Sequence, residues 1–296
     1  MTQLALLDVP LDSSGAGRGE ERAPDALRAA GLIERLGARD AGTVAAARIR
    51  DTRRDPLTGV IGAGEVRRAS AAIAASVREL LDAGERPIVL GGDCTLLLGV
   101  VGALPRNTGL WFVDGHADFH DGELSPTGEA ADMDLSILTG HGPEGLLEAP
   151  ERLLDPGAVV LMGHRPDELA REVAAENARL DPAIEAHTSA QVRESGPATL
   201  GTAVAARLAA THAWLHVDLD VLDETALPAV SYPQPDGLDW AELADLVAPL
   251  AAAPNLLGVS IADFNPDRDP DGVHAQKVAD ALAQLLRPGA MEPSQP

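Results

Sequence analysis

Short apolar runs that stop on an acidic or glycine-led polar cluster recur along the chain, separated by longer stretches with helical spacing. Leu4–Leu7 stops at Asp8, Pro87–Leu90 runs into Gly91-Gly92-Asp93-Cys94, and Leu110–Val113 stops at Asp114. Ala158–Met162 leads into Gly163-His164-Arg165, the run from Trp214 reaches Asp218, and Leu256–Ile261 precedes Asp263-Phe264-Asn265-Pro266. Such runs predict strands buried on both faces. Helices are predicted from Pro24, with Asp25 near the positive helix end, to about Leu36, and from Glu65 to Leu81. The second has its apolar residues at Val66, Ala69, Ile73, Val77, Leu80 and Leu81 and ends at Gly84. Further helices are expected over Leu96–Leu104, Ala198–Ala210, Asp239–Ala252 and Gly272–Leu286. Thr43–Thr58 alternates weakly and reads as an outer strand and loop. Strands alternating with helices through right-handed crossovers give one parallel sheet covered on both faces. The pattern predicts a single α/β domain over residues 1–286, with 287–296 (RPGAMEPSQP) a frayed tail.

Composition narrows the function. Hydrophobic residues make up 45% of the 296, ample for a core, but aromatics only 2%, so that core must be aliphatic. The net charge of −23 argues against nucleic acid and anionic membranes as partners and favours cations, although it serves solubility equally well. A single cysteine, Cys94, permits no intramolecular disulfide and points to a reducing compartment. The N-terminal MTQLALLDVPLD has no basic leader region and no stretch approaches membrane-spanning length, so a soluble, cytoplasmic protein is expected.

Chemistry concentrates in Leu110–His120, LWFVDGHADFH, and is repeated in Trp214–Asp223, WLHVDLDVLD. Each delivers acids at alternate positions from the end of an apolar strand. If the backbone stays extended, Asp114, His116 and Asp118 face one point, joined by Asp218 and Asp220, with His216 one step earlier inside its strand. Buried carboxylates without partners cost several kcal/mol each or protonate. Divalent metals resolve this, and five O/N ligands suit two ions sharing bridging carboxylates, a pair able to supply hydroxide near neutral pH. The alternative is a set of solvated loop residues.

Four stretches in order, Gly91–Cys94 (GGDC), Asp114–Asp118 (DGHAD), Asp218–Asp223 (DLDVLD) and Ala262–Pro266 (ADFNP), resemble the ureohydrolases, the family of arginase, agmatinase and formiminoglutamase. The resemblance covers nearly the whole chain and includes the first loop with the Pro24 helix. It implies a three-layer α/β/α sandwich around a mostly parallel eight-stranded sheet, two manganese ions (Mn2+) per chain, and homo-oligomers, usually trimers or hexamers. By the same resemblance Cys94, Asp114, Asp118 and Asp218 hold one ion. Asp114, His116, Asp218 and Asp220 hold the other, with Asp114 and Asp218 bridging. Asp118 also orients the bridging hydroxide that attacks a guanidinium or amidine carbon, and Asp263 stands where the family has a glutamate that pairs with the guanidinium.

The chain departs from that pattern at three places. Cys94 stands where the family has histidine, which either favours zinc or iron over manganese or leaves a small buried cysteine and a weakened site. A cysteine there also resembles the hydroxyarginine hydrolase of the D-cycloserine pathway, which releases hydroxyurea. The family's proton-shuttling histidine falls at Ala131, so His120 is assigned proton transfer to the leaving amine, a plain substrate contact being the alternative. Ser125 and Thr127 match hydroxyls that arginases use on the α-carboxylate, and Glu168 is placed to meet an α-amino group, with Asp167 as close in count. Third, Asp263 is one methylene shorter than glutamate.

Three readings follow. The first is a metal-dependent hydrolase of a linear C–N bond in a small cationic guanidino or amidino compound, releasing urea or a substituted urea. The second is a dinuclear hydrolase of phosphoesters or acyl amines, which Glu123, Glu129, Asp132 and Asp134 oppose by repelling anions. The third is a ureohydrolase fold without turnover that serves as a binding subunit.

Overall fold

The computed structural model describes residues 2–147, 153–167, 169–207 and 211–286. Its elements begin with β1 (Leu4–Val9), α1 (Ala23–Ala29), α2 (Leu32–Leu36), β2 (Arg39–Thr43), α3 (Ala63–Asp82) and β3 (Arg86–Gly91). Then come α4 (Leu96–Ala103), β4 (Thr108–Val113), α5 (Asp134–Thr139), β5 (Val159–His164), α6 (Arg171–Asn177) and β6 (Glu185–Thr188). The chain closes with α7 (Ser189–Ser195), α8 (Pro197–Arg207), β7 (His212–Asp218), α9 (Trp240–Ala251), β8 (Leu256–Ala262) and α10 (Val273–Leu286).

Strand alternation divides the core into two layers. Leu6, Ile88, Leu90, Val113, Leu215 and Val217 pack on one face with α1, α2 and α7 to α10. Leu7, Val89, Leu110, Phe112, Leu161 and Trp214 pack on the other with α3, α4 and α5. The strands form one sheet ordered β2-β1-β3-β8-β7-β4-β5-β6, paired in parallel throughout. The expected three-layer α/β/α sandwich is what forms. No described helix is long and apolar enough to cross a membrane.

Several element bounds differ from expectation. The helix opened by Pro24 does not run to Leu36: Gly31 takes a left-handed conformation (φ 80°) between α1 and α2. The outer strand expected within Thr43–Thr58 lies earlier, as β2, and shares only Thr43 with that range. Paired on one side and exposed along most of its length, β2 has no need of apolar alternation. The other edge strand, β6, was not predicted for the same reason. Residues 208–210, at the end of one predicted helix, and the tail 287–296 lie outside the described residues.

Parallel pairing puts every strand's carboxyl end on one rim, where α/β sheets collect ligands. The chain enters β8 last, between β3 and β7, so β3, β8, β7 and β4 stand side by side at the centre. Those four strands deliver the GGDC, ADFNP, DLDVLD and DGHAD stretches respectively.

Close packing of α4 on α3 sets where Cys94, just ahead of α4, is held. A Cβ at Gly99 would lie 2.5 Å from Ile73 Cβ and 2.7 Å from Ser70 O. Gly99→Ala, although favourable for helix propensity, is expected to destabilise the fold by about 1–3 kcal/mol through overpacking. Urea unfolding checks this; an unchanged or higher midpoint would mean that the two helices separate freely.

Candidate metal centre

The donors converge by turns rather than by strand alternation. β4 ends at Val113, and Asp114 to Asp118 fold back instead of continuing extended, with Asp118 left-handed at φ 48°. Asp114 Oδ1 accepts a hydrogen bond from His116 N at 2.7 Å, and Gly115 N donates to Asp220 Oδ1 at 3.2 Å. Gly115 has no room for a Cβ, which would sit 2.7 Å from Asp220 O. From β7, Asp218 Oδ1 accepts from Asp220 N at 2.7 Å. From β8, Asp263 is left-handed (φ 66°), and its N–H donates to Gly92 O at 2.7 Å, tying the β8 exit to the β3 exit.

One further residue braces this edge. Arg165 is buried, and its guanidinium donates to five carbonyls, those of Asp220, Val221, Leu222, Gln234 and Pro235. It holds the turn that carries Asp220. The sequence shows only a polar residue after β5.

Ligand atoms meet in overlapping sets. Asp114, His116 and Asp220 form one, Cys94, Asp114, His216 and Asp218 another, and Cys94, Asp118 and Asp134 a third, with all atoms of each set within 4.8 Å of one another. Asp218, Asp220 and Asp263 form a fourth on the same criterion. All six expected metal ligands therefore come together. His216 and Asp134 join them unexpectedly. His216 stands two residues before Asp218 on the same face of β7, a relation that strand periodicity alone contains. Asp134 opens α5, wholly buried, and neither of its oxygens makes a hydrogen bond. The sequence marks it only as one more acid near the motif, not as a member of the cluster.

The electrostatics fit divalent cations. Burial, then mutual repulsion, pushes Asp114, Asp118, Asp134, Asp218 and Asp263 well above the ordinary carboxylate range. Burial also disfavours the His116 cation, but Asp220 Oδ2 at 2.8 Å outweighs it and pushes the imidazole up to about 9. Burial raises Asp220 too, yet His116 and Arg165 hold it below its usual value. Burial and the nearby carboxylates of Asp218 and Asp114 push the Cys94 thiol up. So many acids in one dry place stay ionised only beside positive charge, and the donor set offers it a home.

These ligands floor a cavity of ≈ 160 Å³. Ten carboxylates and one guanidinium, Arg18, line it. Glu20 is buried there with no hydrogen bond to either oxygen, Arg18 Nη2 lying 3.7 Å away. At the mouth Arg18 donates to Tyr232 Oη at 2.8 Å and to Glu129 Oε2 at 2.5 Å. His120 faces the cavity with Nδ1 unbonded and Nε2 3.9 Å from Glu176 Oε2, while Ala131 offers the cavity no titratable group. Ser125 and Thr127 both donate to Asp132 Oδ2, at 2.7 and 2.5 Å; Thr127 lines the cavity and Ser125 lies buried behind it. Asp263 lines the cavity, accepting from Ser231 N at 3.3 Å. Glu168 lies outside the described residues.

The raised groups set a pH dependence. Each binds its proton more tightly folded than unfolded, so its stabilisation is complete at and below the ordinary carboxylate range. That contribution is lost as pH climbs toward the folded values, about 7 for Asp93 and about 9 for His116. Burial lowers His164 to about 4 and His216 to about 3, which opposes this only up to the ordinary imidazole range, and the contribution of the lowered Asp220 is already complete above the ordinary carboxylate range. Metal-free protein is expected to melt lower at about pH 8.5 than at about pH 5.5, and divalent ions to raise Tm more at the higher pH. A metal-free Tm that rises over this interval would contradict the charge picture.

The family model described as "Arginase family" matches residues 2–287. The arginase of Bacillus caldovelox is 27% identical over 284 residues, spanning 91% of this chain and 93% of that protein. Its crystal structure superposes with a TM-score of 0.84 at 26% identity, covering 98% of this chain and all of that one. The agmatine ureohydrolase of Thermoplasma volcanium has a TM-score of 0.71 at 23% identity, over 96% of this chain and 88% of that one. A formimidoylglutamase from Bacillus subtilis also reaches 0.71, at 20% identity over 97% and 86% of the two chains; at these identities both share the fold. With four motifs on four neighbouring strand ends and a match along almost its full length, the chain belongs to the arginase family.

Proposed function

We propose that the protein hydrolyses the C–N bond of a small cationic guanidino or amidino compound, releasing urea or a substituted urea. The observation that carries this reading is the pairing of a multi-carboxylate metal-ligand cluster with a cavity whose remaining walls are also anionic. Asp114, His116, Asp218 and Asp220 would hold one divalent ion, and Asp114, Asp218 and Cys94, with Asp118 beside them, the other. When bound, such a pair lowers the pKa of a shared water and supplies hydroxide near neutral pH. Manganese is the ion expected where oxygen ligands dominate.

The protein's own groups do the rest. Asp118, held by its left-handed turn, presents a carboxylate that orients the nucleophile. Asp263 faces the cavity from the β8 exit, beside Asp218 and Asp220, and pairs with the planar cation. It is shorter than glutamate, and Glu20, with both oxygens unbonded, supplies a second carboxylate for the same cation. His120 hands a proton to the departing amine, with Glu176 close enough to steady the imidazolium. A phosphoester would meet carboxylates on nearly every wall, which disfavours that chemistry.

The decisive experiment is release of urea, substituted urea or amine from a panel of guanidines and amidines after manganese loading. Turnover that disappears with chelation is expected. Metal-dependent thermal stabilisation with no turnover on any compound would instead indicate a binding subunit. On the best substrate, Glu20→Gln is expected to raise KM about tenfold with kcat nearly kept. His120→Ala should lower kcat about 100-fold. Unchanged constants in either variant would remove that residue from the mechanism.

A further inference from the structure

We propose that the Cys94 end of the centre is a thiolate–imidazole metal site in which His216 supplies the ring nitrogen. This position takes zinc or a similarly thiophilic divalent ion, while the His116–Asp220 end keeps the set suited to manganese. The inference deepens the hydrolase reading and rests on it for the presence of two ions.

His216 Nε2 lies 3.3 Å from Cys94 Sγ, and Cys94 Sγ lies 2.6 Å from Asp218 Oδ2 and 3.7 Å from Asp114 Oδ2. In a tetrahedral zinc site with Zn–S of about 2.3 Å and Zn–N of about 2.0 Å, sulfur and nitrogen stand about 3.5 Å apart. The Cys94–His216 pair already has nearly that separation. Its orientation is fixed from behind. His216 Nδ1 is 2.8 Å from Ser260 Oγ, which also accepts from Trp214 Nε1 at 2.9 Å. With Nδ1–H donating to Ser260, both acceptor positions of that hydroxyl are filled, and Nε2 turns its lone pair toward Cys94. Phe112 stacks on the ring, centroids 5.2 Å apart, and the imidazole is fully buried.

Strand geometry explains how this arises. Trp214, His216 and Asp218 lie on one face of β7, and that face meets the loop after β3. An imidazole absent from position 94 is thereby supplied from the neighbouring side of the same site. Sulfur and imidazole donors favour zinc, iron or cobalt over manganese. Asp118 lines the cavity, and Asp134 lies buried beside Asp118 and Cys94.

The test is a titration of metal-free, full-length protein with cobalt(II), read by absorption, with metal content measured after an equimolar zinc and manganese challenge. The first equivalent of cobalt should give a sulfur-to-cobalt charge-transfer band and the strong visible bands of a four-coordinate ion. Cys94→Ser should abolish the charge-transfer band. His216→Ala should weaken that ion's binding about tenfold or more and alter the visible bands. One zinc should survive the challenge per chain. Unchanged cobalt affinity and spectrum in His216→Ala, or two manganese ions retained against zinc, would overturn the proposal. If His216→Ala does not fold, X-ray absorption of the one-zinc protein decides. Sulfur and imidazole on the same ion, persisting in His116→Ala, support the site; sulfur without imidazole sinks it. Failure of the hydrolase reading shows separately, as absent turnover in protein that carries both ions.

Discussion

Mutual repulsion among buried carboxylates is the constraint around which this molecule is arranged. Asp114, Asp118, Asp134, Asp218 and Asp263 are each buried among neighbours of the same charge. Left without cations they hold protons instead, at a cost that hydrophobic burial elsewhere must offset. The surrounding devices all serve to keep those groups in place. Arg165 donates to five backbone carbonyls, Gly115 and Gly92 give the room for close backbone approach, and Asp118 and Asp263, two of three described aspartates with positive φ, adopt left-handed conformations. A positive φ at a non-glycine residue costs free energy and persists where the surroundings over-determine it. Both Asp118 and Asp263 sit at the cluster, and each is pinned by a backbone hydrogen bond, to Ser136 N and to Gly92 O respectively.

Sheet topology turns that local problem into a soluble one. Residues from Cys94 to Asp263 are far apart in sequence, yet β8 enters between β3 and β7, and the four strands that carry them become neighbours. A fully parallel sheet then sends all four loops to one rim. The aliphatic core on both faces makes the strands stiff mounts. Rigid mounts matter because donors must stay within a few tenths of an ångström of their arrangement.

What was legible in the sequence follows from which signals are local. An apolar run cut off by an acid marks a central strand and its exit, and so β3, β4, β7 and β8 and the ligands on them could be read directly. The route by which those ligands converge could not. Continued alternation was the simplest extrapolation from LWFV, whereas the chain turns at Asp114 and reverses again at Asp118. Edge strands were misplaced or missed because one-sided pairing removes the need for apolar alternation, as the exposed Arg39–Thr43 shows. Glu20 and Arg165 went unread for a different reason, and Asp134 was legible only as one more acid near the motif, without its burial. Each is an ordinary charged residue locally, and only tertiary packing buries it against the cluster. The helix broken at Gly31 is intermediate, since glycine marks an interruption that periodicity smooths over.

The charge balance of the cavity links the metal end to the substrate end. Two divalent ions would bring four positive charges and Arg18 a fifth, against ten lining carboxylates. A lining with this surplus of carboxylates over its one guanidinium favours a cation over a phosphate. Without that surplus, a guanidinium would be repelled by the ions needed to attack it. Asp263 lies within 4.8 Å of Asp218 and Asp220, so the carboxylate that would meet the cation stands beside those that would hold the metal. Burial, then the carboxylates of Asp218 and Asp220, and to a lesser degree Glu20, push Asp263 up, so acids of both ends act on one group. A change at either end therefore shifts the other.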